Sequence, residues 1–88
     1  MAAQLALLGE PGRLALLLAM RHAGPIPVSD LALVTGMRDT AVSQALRLLR
    51  DAGLVVAERD GRVMRYRLRG EHVGRLLDDL LAVLDSAI

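Results

Sequence analysis

Thr40, Ser43, Gln44 and Arg47 stand at spacings i, i+3, i+4 and i+7 in a chain of 88 residues. On an α-helix those spacings fall on one face. The interleaved Val42, Ala45, Leu46 and Leu49 are apolar and fall on the other. The polar face therefore offers hydrogen-bonding groups held on a fixed rod. Gln can pair in bidentate fashion with adenine and Arg with guanine. Ser and Thr hydroxyls, with the free N–H groups of a helix first turn, suit phosphate oxygens. Taken singly, each residue also fits an ordinary solvated helix surface, so the surrounding charge has to decide.

All eleven basic residues are arginine, and eight of them lie between residues 38 and 69. Four acids share that window, leaving it at +4, whereas the rest of the chain sets three arginines against six acids. A basic region of this kind within a nearly neutral chain suits a polyanion. The candidate DNA contacts are Arg38, Thr40, Ser43, Gln44, Arg47 and Arg50, followed by Arg59, Arg62 and Arg65. Other chemistries find little support. The absence of cysteine excludes disulfides, thiolate metal sites and cysteine redox sensing. Ser29, Ser43 and Ser86 have no His and acid placed beside them by any catalytic motif, and no phosphate-binding glycine pattern occurs. An enzyme is not expected.

The elements that must position these residues are punctuated by Gly and Pro. A short apolar helix is expected over 2–8, ending at Gly9. A second, apolar nearly all round, runs from Pro11 through Met20 to about Gly24-Pro25, with His22 near its carbonyl end. Ser29-Asp30 opens a third helix, which Gly36 closes. Only Gly36-Met37-Arg38 separates it from a fourth helix, Asp39 to Ala52, that carries the polar face. Two short helices joined by a glycine-containing turn form a helix-turn-helix. Leu54–Arg59 and Val63–Leu68 then flank Asp60-Gly61, a hairpin signal whose two turn positions would both take positive φ. In the second strand Met64, Tyr66 and Leu68 alternate with Arg65 and Arg67. The last helix, Glu71 to Ile88, is apolar at 73, 76, 77, 80, 81, 84 and 88. So wide a stripe, on a chain that is 53% hydrophobic, is expected to meet a second copy.

The expected fold class is mainly α with a two-stranded β-hairpin wing: a winged helix-turn-helix in the order α-α-α-α-β-β-α, forming a homodimer. Residues 1–88 make one domain, with 1–8 and 71–88 as dimerisation elements. The start of the chain lacks a basic signal-peptide region, its apolar run breaks at Gly9 and Pro11, and no apolar stretch approaches the roughly 20 residues that span a bilayer. A cytoplasmic protein with no membrane association is expected.

These segments resemble the ArsR/SmtB family of winged-helix repressors. Gly9-Glu10-Pro11-Gly12-Arg13 is similar to the start of that family's second helix, and Val28-Ser29-Asp30-Leu31-Ala32 to the start of its third. Thr40 to Val55 resembles its recognition helix, and Arg59-Asp60-Gly61-Arg62 with Tyr66-Arg67-Leu68 its wing. The resemblance covers about residues 5–85. It implies a homodimer joined through the first and last helices and repression by operator occupancy, often relieved by a ligand.

The chain departs from the family at its metal sites. Ile26-Pro27-Val28-Ser29-Asp30 replaces the Cys-x-Cys type of motif. In the last helix Gly70 stands at the place of an Asp ligand, His72 matches the first His, and Val83 and Ser86 stand near the later ligands. His72 remains with Asp78, Asp79 and Asp85, but His72 and Asp85 are about 20 Å apart along one helix. Only antiparallel pairing of two chains would bring them together. No cofactor is expected; His72 and Asp85 are candidate ligands for a divalent metal only in an alternative reading. Two alternatives thus stand beside a DNA-binding repressor: a winged-helix protein-interaction module that does not bind DNA, and a metal-responsive repressor that uses the last helix.

Overall fold

The computed structural model describes residues 11–86. The helix expected over 2–8 and the final residues 87–88 lie outside the described residues. The elements in chain order are α1 (Pro11–Ala23), β1 (Ile26–Pro27), α2 (Val28–Thr35), α3 (Asp39–Asp51), β2 (Val55–Asp60), β3 (Val63–Leu68) and α4 (Glu71–Ser86).

Helix α1 is central because its apolar residues point in several directions. Leu16, Leu17 and Met20 are fully enclosed, and Leu14 and Ala19 pack at the edge of the same core. Helix α1 touches α2, α3, β3 and α4. It stops at Gly24, whose φ of 74° lets its N–H reach the Met20 carbonyl at 3.0 Å. The chain then extends through Ile26-Pro27 and pairs antiparallel with β3, Ile26 opposite Tyr66 and Pro27 opposite Arg65. The wing sheet is therefore three-stranded, in the order β1-β3-β2, where a two-stranded hairpin was expected. Two residues are too few to show strand periodicity, which is why the sequence concealed β1. Helix α2 begins at Val28, one residue before the expected Ser29-Asp30 start. Pro27 takes the N-cap position with extended backbone and no side-chain cap bond. Its ring fixes φ at the entrance to the helix.

The core is aliphatic. Leu31 and Ala32 from α2, Val42, Ala45, Leu46 and Leu49 from α3, Leu54 and Val55 around the start of β2, and Val73 and Leu77 from α4 close around α1. No polar or charged side chain is buried among the described residues. Helix α3 ends in a Schellman arrangement. Gly53 (φ 78°) donates to the Arg50 carbonyl at 2.9 Å, and Leu54 donates to the Leu49 carbonyl at 2.9 Å. Leu54 and Leu49 are both buried, so the cap and the core are tied together at the point where helix turns into wing.

The hairpin turn sits one residue later than expected. Asp60 pairs with Val63, so the two-residue loop is Gly61-Arg62. Gly61 takes φ 64°, while no residue other than glycine has positive φ. A glycine first and a negative φ second is the II′ pattern, one of the two that match strand twist. Asp60 thus stays in the strand.

The apolar stripe of α4 divides along its length. Val73, Gly74 and Leu77 are buried against the rest of the domain, and Leu76 and Leu80 pack at the core's edge. Further along, Leu81, Val83 and Leu84 are exposed, by 36%, 65% and 46%. Only the C-terminal part of the stripe is left for another surface. No helix among the described residues is long and apolar enough to cross a membrane.

Candidate nucleic-acid interface

The turn between α2 and α3 sets the angle at which α3 is presented, and local bonds hold it. The Thr35 hydroxyl donates to the Leu31 carbonyl at 2.6 Å and accepts from the Met37 N–H at 3.3 Å. Gly36, at φ 74°, donates to the Ala32 carbonyl at 2.9 Å. A side chain there would have open space around it, so the need for glycine is conformational. Met37 reaches back to α1, its Cε 3.4 Å from where a Cβ on Gly12 would stand. The turn is thereby pinned to the central helix. The sequence does not single out Thr35 or give Gly12 a part in this turn, since only the folded turn reveals what they do.

Arg38 is the N-cap of α3, extended and without a side-chain cap bond. The first intrahelical bond comes from Val42 to the Arg38 carbonyl at 2.9 Å. The amides of Asp39, Thr40 and Ala41 therefore have no intrahelical acceptor, as at any helix N-terminus. Beyond them the outward face carries Thr40, Ser43, Gln44 and Arg47, all exposed, while Val42, Ala45, Leu46 and Leu49 are buried. Arg50 follows on the flank and lines one polar hollow with Arg47 and Asp51. The structure thus brings the six helix-borne candidates, Arg38, Thr40, Ser43, Gln44, Arg47 and Arg50, onto the solvent side of one rigid element. Helix α3 is packed against β2, so the wing is anchored to the same body.

The wing residues divide. Arg59 and Arg62 are exposed, and neither forms an ion pair among the described residues. Arg65 is half-exposed and its Nε donates to Asp60 Oδ2 at 3.2 Å. Arg67 pairs in the same way with Glu58. Among the wing candidates Arg65 thus differs from Arg59 and Arg62. Its charge is already matched by a carboxylate two positions nearer the tip. The sequence carried a signal for this, acids and arginines alternating on facing strands, which becomes legible only once the register is known.

The metal candidates fare differently. His72 lies in the first turn of α4 and Asp85 in its last, both exposed. Among the described residues no group of three or more His, Asp or Glu side chains could hold a metal ion.

Known proteins share this arrangement. A family model described as MarR family matches residues 10–65, which takes in α1 to α3 and most of the wing. The HTH-type transcriptional regulator NmtR of Mycobacterium tuberculosis is 48% identical over 80 residues, covering 91% of this chain and 66% of that protein. The HTH-type transcriptional repressor SmtB of the same organism is 35% identical over 75 residues, covering 85% and 55%. The chain thus spans less than two thirds of the length of each of these two curated relatives. Among solved structures, the "homodimeric winged helix-turn-helix DNA-binding domain" of a Mycobacterium bovis protein, described as "a possible ArsR-family transcriptional regulator", superposes with a TM-score of 0.89 at 35% identity, covering 98% of this chain and 79% of that one. The MarR match stops before α4, within the helix-turn-helix and wing, whereas the M. bovis match runs through nearly all of the chain. With that full-length agreement in fold, the expected resemblance becomes an assignment: the chain belongs to the ArsR/SmtB family of winged helix-turn-helix transcriptional regulators.

Proposed function

We propose that this chain binds duplex DNA in a sequence-specific manner as a homodimer and regulates transcription by occupying an operator, as a repressor. The observation that carries this reading is the outward face of α3. Its hydrogen-bonding side chains are exposed on a helix whose other face is locked into the core, and its arginines form no ion pairs among the described residues. Helix α3 enters the major groove, where Gln44 and Arg47 read base edges. Arg38, Thr40, Ser43 and Arg50 hold the phosphates on either side. Arg59 and Arg62 reach the adjacent backbone from the wing.

Dimerisation is supported by Leu81, Val83 and Leu84, which lie beyond the part of α4 spent on the chain's own core. It is supported also by the homodimer described for the M. bovis relative. Residues 1–8 are the second dimerisation element of this reading, and the whole chain is one domain. Two-fold symmetry then demands an inverted repeat, with the two α3 helices about 34 Å apart in successive major grooves. A cytoplasmic location follows from the need to meet DNA. Titration of labelled duplex across a salt series tests the proposal. Affinity should fall steeply as salt rises, through counterion release. No binding at low salt to either random or genomic duplex would overturn it.

A further inference from the structure

We propose that Asp60 and Glu58 restrain the wing: they hold Arg65 and Arg67 against their own hairpin and so set DNA affinity and its salt dependence below what the arginine count would allow. The inference rests on the DNA-binding reading above and identifies residues that oppose it.

The sheet register places the partners. Glu58 lies opposite Arg65, and Asp60 lies opposite Val63. The ion pairs, however, run diagonally, Arg65 to Asp60 and Arg67 to Glu58, each arginine leaning two positions toward the tip. Diagonal neighbours in an antiparallel pair are within reach of long side chains. Because side chains alternate along a strand, Val56, Glu58 and Asp60 share one face of the hairpin with Val63, Arg65 and Arg67. That face carries two cations and two anions and is neutral. The other face holds Val55, Ala57, Tyr66, Met64 and Leu68, with Arg59 as its one charge. The wing's unmatched positive charge is thus reduced to Arg59 and Arg62.

Both pairs are solvent-exposed, with carboxylates 73% (Asp60) and 48% (Glu58) accessible. Such pairs are weak enough to exchange. An arginine that left its carboxylate for a phosphate would leave that carboxylate beside DNA, so each exchange gains little. The hairpin therefore holds a reserve of phosphate-binding charge that neutralising the acids would release. Asp60→Asn keeps the shape of the side chain and removes only the charge.

The test is a double-mutant cycle on the 88-residue chain, using a duplex that the wild type selects from a random pool. Asp60→Asn should tighten binding about five-fold at 0.1 M salt. It should also steepen the plot of log affinity against log salt by about 0.9, the increment for one more neutralised phosphate. In an Arg65→Gln background the same substitution should bring no gain. An unchanged or weakened Asp60→Asn variant overturns the proposal. So does an equal gain in both backgrounds, which would mean that removing a negative charge anywhere near DNA suffices. If the wild type binds no duplex at low salt, the DNA-binding reading itself falls, and the restraint falls with it. Circular dichroism of each variant checks that the fold is retained.

Discussion

The guanidinium of Arg21 occupies the space that a side chain on Gly74 would fill. A Cβ on Gly74 would stand 2.4 Å from one guanidinium nitrogen and 2.6 Å from the central carbon. From that seat Arg21, near the end of α1, reaches Asp78 at 2.9 Å and Glu71 at 3.4 Å on α4. The hydrogen bond and charge of Asp78, and after them those of Glu71, raise the Arg21 pKa above its ordinary value. The last helix is thereby clamped to the central one over its first two turns.

The clamp predicts a background-dependent effect. Alanine in place of a helical glycine ordinarily favours the helix by about 1 kcal/mol. In the wild type, Gly74→Ala should bring none of that gain, because Arg21 must leave its seat. In an Arg21→Ala background the gain should reappear, about 1 kcal/mol by thermal or denaturant unfolding. Equal effects in both backgrounds would mean that Arg21 moves aside freely.

Gly36 predicts a backbone effect. With open space around it and φ at 74°, Gly36→Ala should cost about 1 kcal/mol of stability from conformation alone. Denaturant unfolding measures this. Since the residue sets the angle between α2 and α3, DNA affinity should fall by more than the change in stability accounts for.

Helix α3 and the wing should differ in the kind of loss they cause. Gln44→Ala and Arg47→Ala should each cost about 1–3 kcal/mol on the preferred duplex and relax base choice at one position. Arg62→Ala should weaken every duplex alike and reduce the salt slope by about 1. Competition titrations against single-base variants separate the two outcomes.

The division of α4 selects the residue that tests dimerisation. Leu80 packs partly against its own core, so a charge there would damage the fold as well as an interface. Leu84→Glu alters an exposed residue and should yield folded monomers in sedimentation. A folded dimer would place the interface elsewhere.

Much of this fold was legible in the sequence, for reasons that differ from element to element. Helix α3 was readable because its polar and apolar faces alternate at helical period and Gly36 and Gly53 bound it. The hairpin was readable from its glycine, but the turn was displaced by one residue, because Asp60-Gly61 and Gly61-Arg62 both supply a glycine and only pairing distinguishes them. Strand β1 was too short to have a period. The Arg21 clamp joins residues 50 and 57 positions apart, and no local pattern announces it. The exposure of the helix-borne candidates was legible because it follows from spacing on an amphipathic helix. The Arg65–Asp60 pair was not legible, because sheet register sets which carboxylate lies within reach.

Selection of bound duplexes from a random pool, by this 88-residue chain at low salt, tests the central claim most directly. The account predicts enrichment of an inverted repeat whose half-site centres lie about one helical turn, 10–10.5 base pairs, apart. Gln44→Ala should relax one position in each half. A pool that emerges with no enriched sequence would contradict sequence-specific DNA binding by this chain.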